Sequence, residues 1–264
     1  MITYRLLCSV VLITLASVPA IAASLPGPDG GGYYSGRTNY DWVDISATGT
    51  AVVLDDDDFS NPISFPQGFS FDFYGNSYTD FYIQSNGLIS FFANSANAEV
   101  IDEDNECLLP SDGTPENFIA VMWDDLDPSY GGEVYYQVFT QDCPYQNYQG
   151  QCVVIEFQNI QLYGAIDTGE DEPASTFEAI LFDNNHIVVQ FKSSDLGTNW
   201  GNSSTTGIEG SNPESDYGIC FSCNTANSLF PGLAVEFSDN PEITYNNDFF
   251  WPMFLPAILH QHTF

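Results

Sequence analysis

The apolar residues of this chain fall into short runs, many alternating with polar positions and each closed off by Gly, Pro, Asn or Asp. Phe69, Phe71 and Phe73 alternate with Ser70 and Asp72, so an extended backbone sets three rings on one face and polar groups on the other. Beyond the first residues no long stretch carries the 3.6-residue period of an amphipathic helix. The pattern predicts strands over Trp42–Ile45, Ile63–Phe73, Asp80–Ile83, Gly87–Phe92, Phe118–Trp123 and Gly132–Phe139. Later strands are predicted over Cys152–Leu162, Thr176–Phe182, His186–Phe191, Thr205–Glu209 and Leu233–Phe237. Asp183-Asn184-Asn185 between two apolar runs signals a hairpin, hence antiparallel pairing. A strand with one aromatic face needs an opposing sheet to cover it. The expected fold class is therefore all-β, a single-domain antiparallel β-sandwich.

Both ends depart from this pattern. Residues 1–22 join Arg5, the apolar run Leu6–Val18 and the small residues Ala20 and Ala22, which predicts a secretory signal peptide cut after Ala22 or Ala23. Cys8 lies inside it, away from the cut, so no lipid is expected there. A Gly-rich segment, 23–39, precedes the sandwich at 40–238, a length of about 200 residues that one β-sandwich accommodates. The tail, 239–264, carries the apolar run Phe249–Leu259 broken by Pro252 and Pro256, too short to span a bilayer. Within it Trp251, Phe254, Leu255 and Ile258 are candidate contacts for engaging a neighbour.

Charge narrows the partners. Asp and Glu number 36 against 3 Lys and Arg, a net charge of −33, and beyond residue 22 the only cations are Arg37 and Lys192. Nucleic acid and anionic membrane surfaces are excluded as partners on this ground. The carboxylates must be solvated, hydrogen-bonded or metal-bound. The densest runs are Asp55–Asp58 before a strand and Asp124-Asp125-Leu126-Asp127 after Trp123. Calcium takes about six to eight oxygens, which closely spaced Asp on sheet-end loops can help supply. Asp124, Asp125, Asp127 and Asp57 are accordingly the expected metal ligands, and Ca2+ the expected cofactor. The alternative is that Asp serves turns and caps, and it holds best for Asp55–Asp58.

Five cysteines follow residue 22, and export makes disulfides the default. Cys143 and Cys152 flank the polar insert Pro144–Gln151 and predict a local bridge. One of Cys220 and Cys223 is expected to reach Cys107, since two cysteines this close on one strand face opposite ways and bridge poorly. No His-Glu-x-x-His, Gly-x-Ser-x-Gly or phosphate-cradling loop is present, and His186, His260 and His262 are the only imidazoles. Paired carboxylates keep a secreted hydrolase as a third reading. Tyr33, Tyr34, Tyr145, Tyr148 and Trp200 fall in loop-like surroundings where rings could stack on a sugar, and Asn202-Ser203-Ser204 fits the glycosylation sequon.

Four segments in order are Phe71-Asp72-Phe73-Tyr74-Gly75, Ser85-Asn86-Gly87-Leu88-Ile89-Ser90-Phe91, Ile119 to Asp127 and Val134-Tyr135-Tyr136. With Thr206-Gly207-Ile208-Glu209-Gly210 and Tyr217 to Asn224, the chain from about Tyr40 to Phe237 resembles the nidogen-like (NIDO-type) extracellular β-sandwich module and its bacterial relatives. The resemblance implies an extracellular interaction module. In the bacterial pattern one cysteine precedes the Trp-Asp-Asp strand and one the late Asn, which implies Cys107 paired with Cys223 and Cys220 left over as a thiol. The expected function is a non-catalytic, secreted or surface-retained binding, adhesion or assembly protein, meeting a protein or glycan at the cell surface or its own copies. The alternative is a fibre or coat subunit joined through the tail.

Overall fold

Three long runs rich in β-branched residues, Cys152–Leu162, Ser175–Phe182 and Ile187–Ser194, build the centre of the larger sheet, because their side chains are packed on both faces. The computed structural model describes residues 27–91, 103–111, 115–164, 174–194, 201–211 and 216–239. Its strands are numbered β1 to β16 in chain order. The larger sheet runs β1 (Tyr34–Arg37), β16 (Leu233–Ser238), β13 (Ile187–Ser194), β12 (Ser175–Phe182), β11 (Cys152–Leu162), β10 (Glu133–Phe139), β2 (Thr50–Val52), with β9 (Leu126–Asp127) on the far end of β11. The smaller runs β15 (Gly218–Cys223), β14 (Thr205–Glu209), β8 (Phe118–Trp123), β7 (Leu88–Ser90), β6 (Asp80–Ile83), β3 (Ile63–Ser64). A hairpin of β4 (Phe71–Phe73) and β5 (Asn76–Tyr78) stands apart. Neighbouring strands pair antiparallel throughout these sheets.

The main core lies between the sheets. Val153, Ile155 and Phe157 of β11, with Phe177, Leu181, Val189 and Phe191 beside them, share one apolar cluster with Ile89, Ile119, Val121 and Ile208 of the smaller sheet. Phe71 and Phe73, the alternating rings, both stack near Phe91, at 5.3 and 5.0 Å. Burying each such ring contributes about 1.5–3 kcal/mol.

Each sheet is also covered on its outer face. Leu88, Phe118, Ala120 and Trp123 of the smaller sheet are buried against Leu109. The segment bearing Leu109 is tied down by the Cys107–Cys223 disulfide. On the larger sheet the cover is Asp41–Ile45, and here the expected strand Trp42–Ile45 is corrected. The segment joins no ladder; its alternate N–H groups donate to side chains instead, Asp41 to Gln190 Oε1 at 2.7 Å, Val43 to Glu178 Oε1 at 3.1 Å and Ile45 to Glu156 Oε2 at 2.9 Å. Glu156, Glu178 and Gln190 stand directly opposite one another across β11, β12 and β13.

Other strands also begin or end differently from expectation: β10, β12 and β16 shift by one residue at one end, and β13 starts one residue later and runs on from Phe191 to Ser194. Ile63–Phe73 divides into β3 and β4 around a turn in which the Phe69 N–H donates to Pro66 O, with Gly68 at φ 88°. Gly87 belongs to the turn before β7, and Phe92 lies outside the described residues. The Gly-rich entry supplies the edge strand β1, with Tyr33 buried beside it. Cys143 bridges Cys152, Cys107 bridges Cys223, and Cys220 is a half-buried thiol whose pKa burial pushes up. Among the described residues no helix is long and apolar enough to cross a membrane.

Candidate cation site at the loop end of the smaller sheet

The turn between β6 and β7 organises the site. A Cβ on Gly87 would overlap the Met122 carbonyl, and φ is 76°, so only glycine allows this turn to press against β8. That approach lets fully buried Asn86 clip two acidic loops together. Its Oδ1 accepts the Leu126 N–H at 2.9 Å, and its Nδ2 donates to Asp57 Oδ1 at 2.9 Å. Ser85 adds a second clip. The Asp58 N–H donates to Ser85 Oγ, and the Ser85 N–H donates to Asp58 O, both at 2.9 Å.

Within the first acidic loop, Asp57 takes a left-handed φ of 47°, a conformation Asp tolerates well. The Asp58 carboxylate accepts the N–H groups of Phe59 and Asp55, so it serves the loop itself. Asp56 and Asp57 are left to meet Asp125, and one carboxylate oxygen from each lies within 4.8 Å of the others. Like charges at that distance repel by roughly 3 kcal/mol per pair at an effective dielectric of about 20. Burial is the first cause, and the charges of Asp56, Asp57, Glu103 and Asp124 the next, of an Asp125 pKa pushed up to about 6. Asp56 is also raised, by burial and then by Asp127 and Asp57. Its Oδ1 is shielded from solvent with no hydrogen-bond partner among the described residues. A divalent cation would relieve both the repulsion and the unpartnered oxygen, and three carboxylates provide part of a calcium shell.

Of the expected ligands, Asp57 and Asp125 come together here. Asp124 and Asp127 lie close enough to raise Asp125 and Asp56, respectively, but each commits one oxygen to a neighbour: Asp124 Oδ2 accepts from Ser203 Oγ at 2.7 Å, and Asp127 Oδ1 accepts the Ser129 N–H at 2.8 Å. Burial pushes the Asp124 pKa to about 6, against the hydrogen bonds from Ser203 and the Asp125 N–H. Asp56 stands in the acidic run Asp55–Asp58 but not among the expected ligands, and Asn86 has no part in the expected site. Ser85-Asn86-Gly87 was the available signal for the clip, because Asn-Gly marks a tight turn with an amide free to bridge.

Next to the cluster stands an exposed aromatic pair. Tyr130 and Tyr163 stack at 6.0 Å with planes 15° apart. Both hang from the second acidic loop, the Tyr163 N–H donating to Asp125 O at 2.8 Å and the Tyr130 N–H to Asp127 O at 3.2 Å. Of the tyrosines expected to read sugars, Tyr34 is half-buried on the edge strand β1 and three others are used otherwise. Tyr33 and Tyr145 are buried, Tyr145 Oη donates to Asn39 O, and Tyr148 Oη donates to Asp183 Oδ1. His186 pairs with Glu236 at 2.8 Å. Trp200, His260, His262 and the tail residues Trp251, Phe254, Leu255 and Ile258 lie outside the described residues.

Compared with known families, the chain matches the NIDO-related family model over residues 32–231. No curated protein and no solved structure matches it.

Proposed function

The chain belongs to the NIDO-related family, and from that premise we propose that it is a non-catalytic extracellular binding or adhesion module whose contact loops are organised by calcium. The family is a non-enzymatic, extracellular module type, and two disulfides are consistent with that setting. The observation that carries the calcium reading is the convergence of Asp56, Asp57 and Asp125, with Asp56 Oδ1 buried and unpartnered. The cation joins two loops that otherwise repel. Beside it, Tyr130 and Tyr163 present the aromatic surface a rigid scaffold needs for loop-borne contact with a protein or glycan.

Calorimetric titration of Ca2+ into the EDTA-treated protein tests this reading. Saturable binding by the wild type, weakened at least tenfold in Asp56→Asn and Asp125→Asn, is expected. Equal heats in wild type and both variants would remove the site. Turnover on a broad glycan and peptide panel would overturn the non-catalytic part.

One surface favours a second reading, self-assembly by strand addition. The open edges of both sheets, β2 and β3, line one groove of roughly 820 Å3 with Pro62, Tyr82 and Tyr136, and Val53 at its rim is 89 % exposed. Unchanged particle size on deleting residues 239–264 would dispose of the form of this reading that uses the tail.

A further inference from the structure

The cover on the larger sheet is held by an unusual set of acceptors. Glu156 and Glu178 are fully buried, and each spends one carboxylate oxygen on a strap amide, Glu178 Oε1 also accepting from Gln190 Nε2 at 2.7 Å. Their remaining oxygens, Glu156 Oε1 and Glu178 Oε2, are shielded from solvent without a hydrogen-bond partner among the described residues. The two side chains stand directly opposite on adjacent strands. Two ionised carboxylates there would leave two buried charges on neighbouring strands, whereas a proton on either one removes a buried charge and turns one orphan oxygen into a hydroxyl.

We infer that Asp41–Ile45 is a detachable strap, locked across the sheet while Glu156 or Glu178 holds a proton and released when that proton is lost. Burial holds both carboxyls above their ordinary value, Glu178 well above. The surrounding charges are few and mixed. Asp44 on the strap raises Glu156, Lys192 on β13 lowers both, and Tyr135 on β10 stands opposite Glu156. Tyr40, beside the strap, is itself raised by burial and by Glu178. Lys192 is committed outward, 3.6 Å from Asp44 and 5.1 Å over the Trp42 ring, so it neutralises the pair incompletely. Beneath the strap, Val43 and Ile45 pack in one cluster with Val154, Ile180 and Val188. Release would uncover that apolar row. Folded carboxyls raised above their unfolded value bind an extra proton, so the locked state weakens as pH rises above the ordinary carboxylate range and reaches a floor above the raised value.

Hydrogen exchange, with intrinsic rates divided out, tests the strap. Between about pH 5 and about pH 9 the protection of the Val43 and Ile45 amides should fall about tenfold per pH unit over the window in which the proton is lost. The Ile155 and Ala179 amides, in the β11–β12 ladder, should keep their protection. Glu178→Gln, whose amide can donate toward Glu156, should keep the strap protected across the range, and Glu156→Gln provides the reciprocal variant. Strap protection that does not change with pH in the wild type overturns the proposal. An equal fall in both Gln variants, or a parallel fall at Ile155 and Ala179, does the same.

Discussion

Glu209 shows how single carboxyls in this chain are held against their charge. It is fully buried on β14, and its two oxygens accept from the Ser111 N–H at 2.9 Å and Ser111 Oγ at 3.4 Å. Burial outweighs those bonds, and the charges of Glu116 and Glu106 add to it, so the pKa is pushed up from 4.5 to about 7. Between those values the native state binds a proton the unfolded chain has released. Its stability therefore falls as pH rises through that window and is flat above it. Glu209→Gln keeps an acceptor for the Ser111 N–H and removes the titration. It should raise stability by about 1–3 kcal/mol above pH ~7 and leave it unchanged near pH ~4.5, as read by urea unfolding at the two values. Asp125→Asn acts at the acidic cluster by relieving repulsion from Asp56 and Asp57. In EDTA it should stabilise the fold by about 1 kcal/mol, and with calcium present it should lose about half or more of the gain shown by the wild type.

The β6–β7 turn is where element geometry becomes site geometry. Gly87→Ala forces a methyl into the Met122 carbonyl at a φ of 76°. A loss of about 2–4 kcal/mol in urea unfolding is expected, together with a weakened calcium response, because Asn86 moves with the turn. The disulfides differ by their loops, 116 residues apart for Cys107–Cys223 and 9 for Cys143–Cys152. Replacing both cysteines of the first pair by Ser should cost about 5 kcal/mol and of the second about 3, a ranking that calorimetric melts check.

The legible elements were those whose pattern and partners agree. Phe118–Trp123, Cys152–Leu162 and Thr205–Glu209 have the bounds their apolar and β-branched runs predict. Trp42–Ile45 carries the same alternation but lies across a sheet rather than in one, and only the buried Glu156 and Glu178 reveal it. Nothing in a run of residues announces that a glutamate points inward to hold a backbone amide. The acidic site was half legible for a related reason. Asp is common in turns, so composition locates the loops but not which carboxylates face each other. That choice is made by Asn86 and by the hydrogen bonds that Asp124 and Asp127 accept from Ser203 and Ser129.

Across the whole molecule the imbalance of −33 is met by few cations. Two ion pairs are Lys192 with Asp44 and, when protonated, His186 with Glu236, both on the surface of the larger sheet. Self-repulsion of this size is screened as the Debye length shrinks from about 30 Å at 0.01 M to about 3 Å at 1 M salt. The melting temperature should rise with sodium chloride over that range in EDTA. Calcium should exceed that screening effect at far lower concentration, because it acts at one place. The most direct test is the thermal melt of the protein with EDTA and with calcium at about a hundred times its dissociation constant, at matched ionic strength. Binding to the folded state alone is then worth about 2.7 kcal/mol, which raises the transition of a chain this long by about 5–10 °C. A shift of that size, cut to about half or less in Asp56→Asn and Asp125→Asn, is the predicted result; coincident melts for the wild type in EDTA and in calcium would contradict a module organised by the cation.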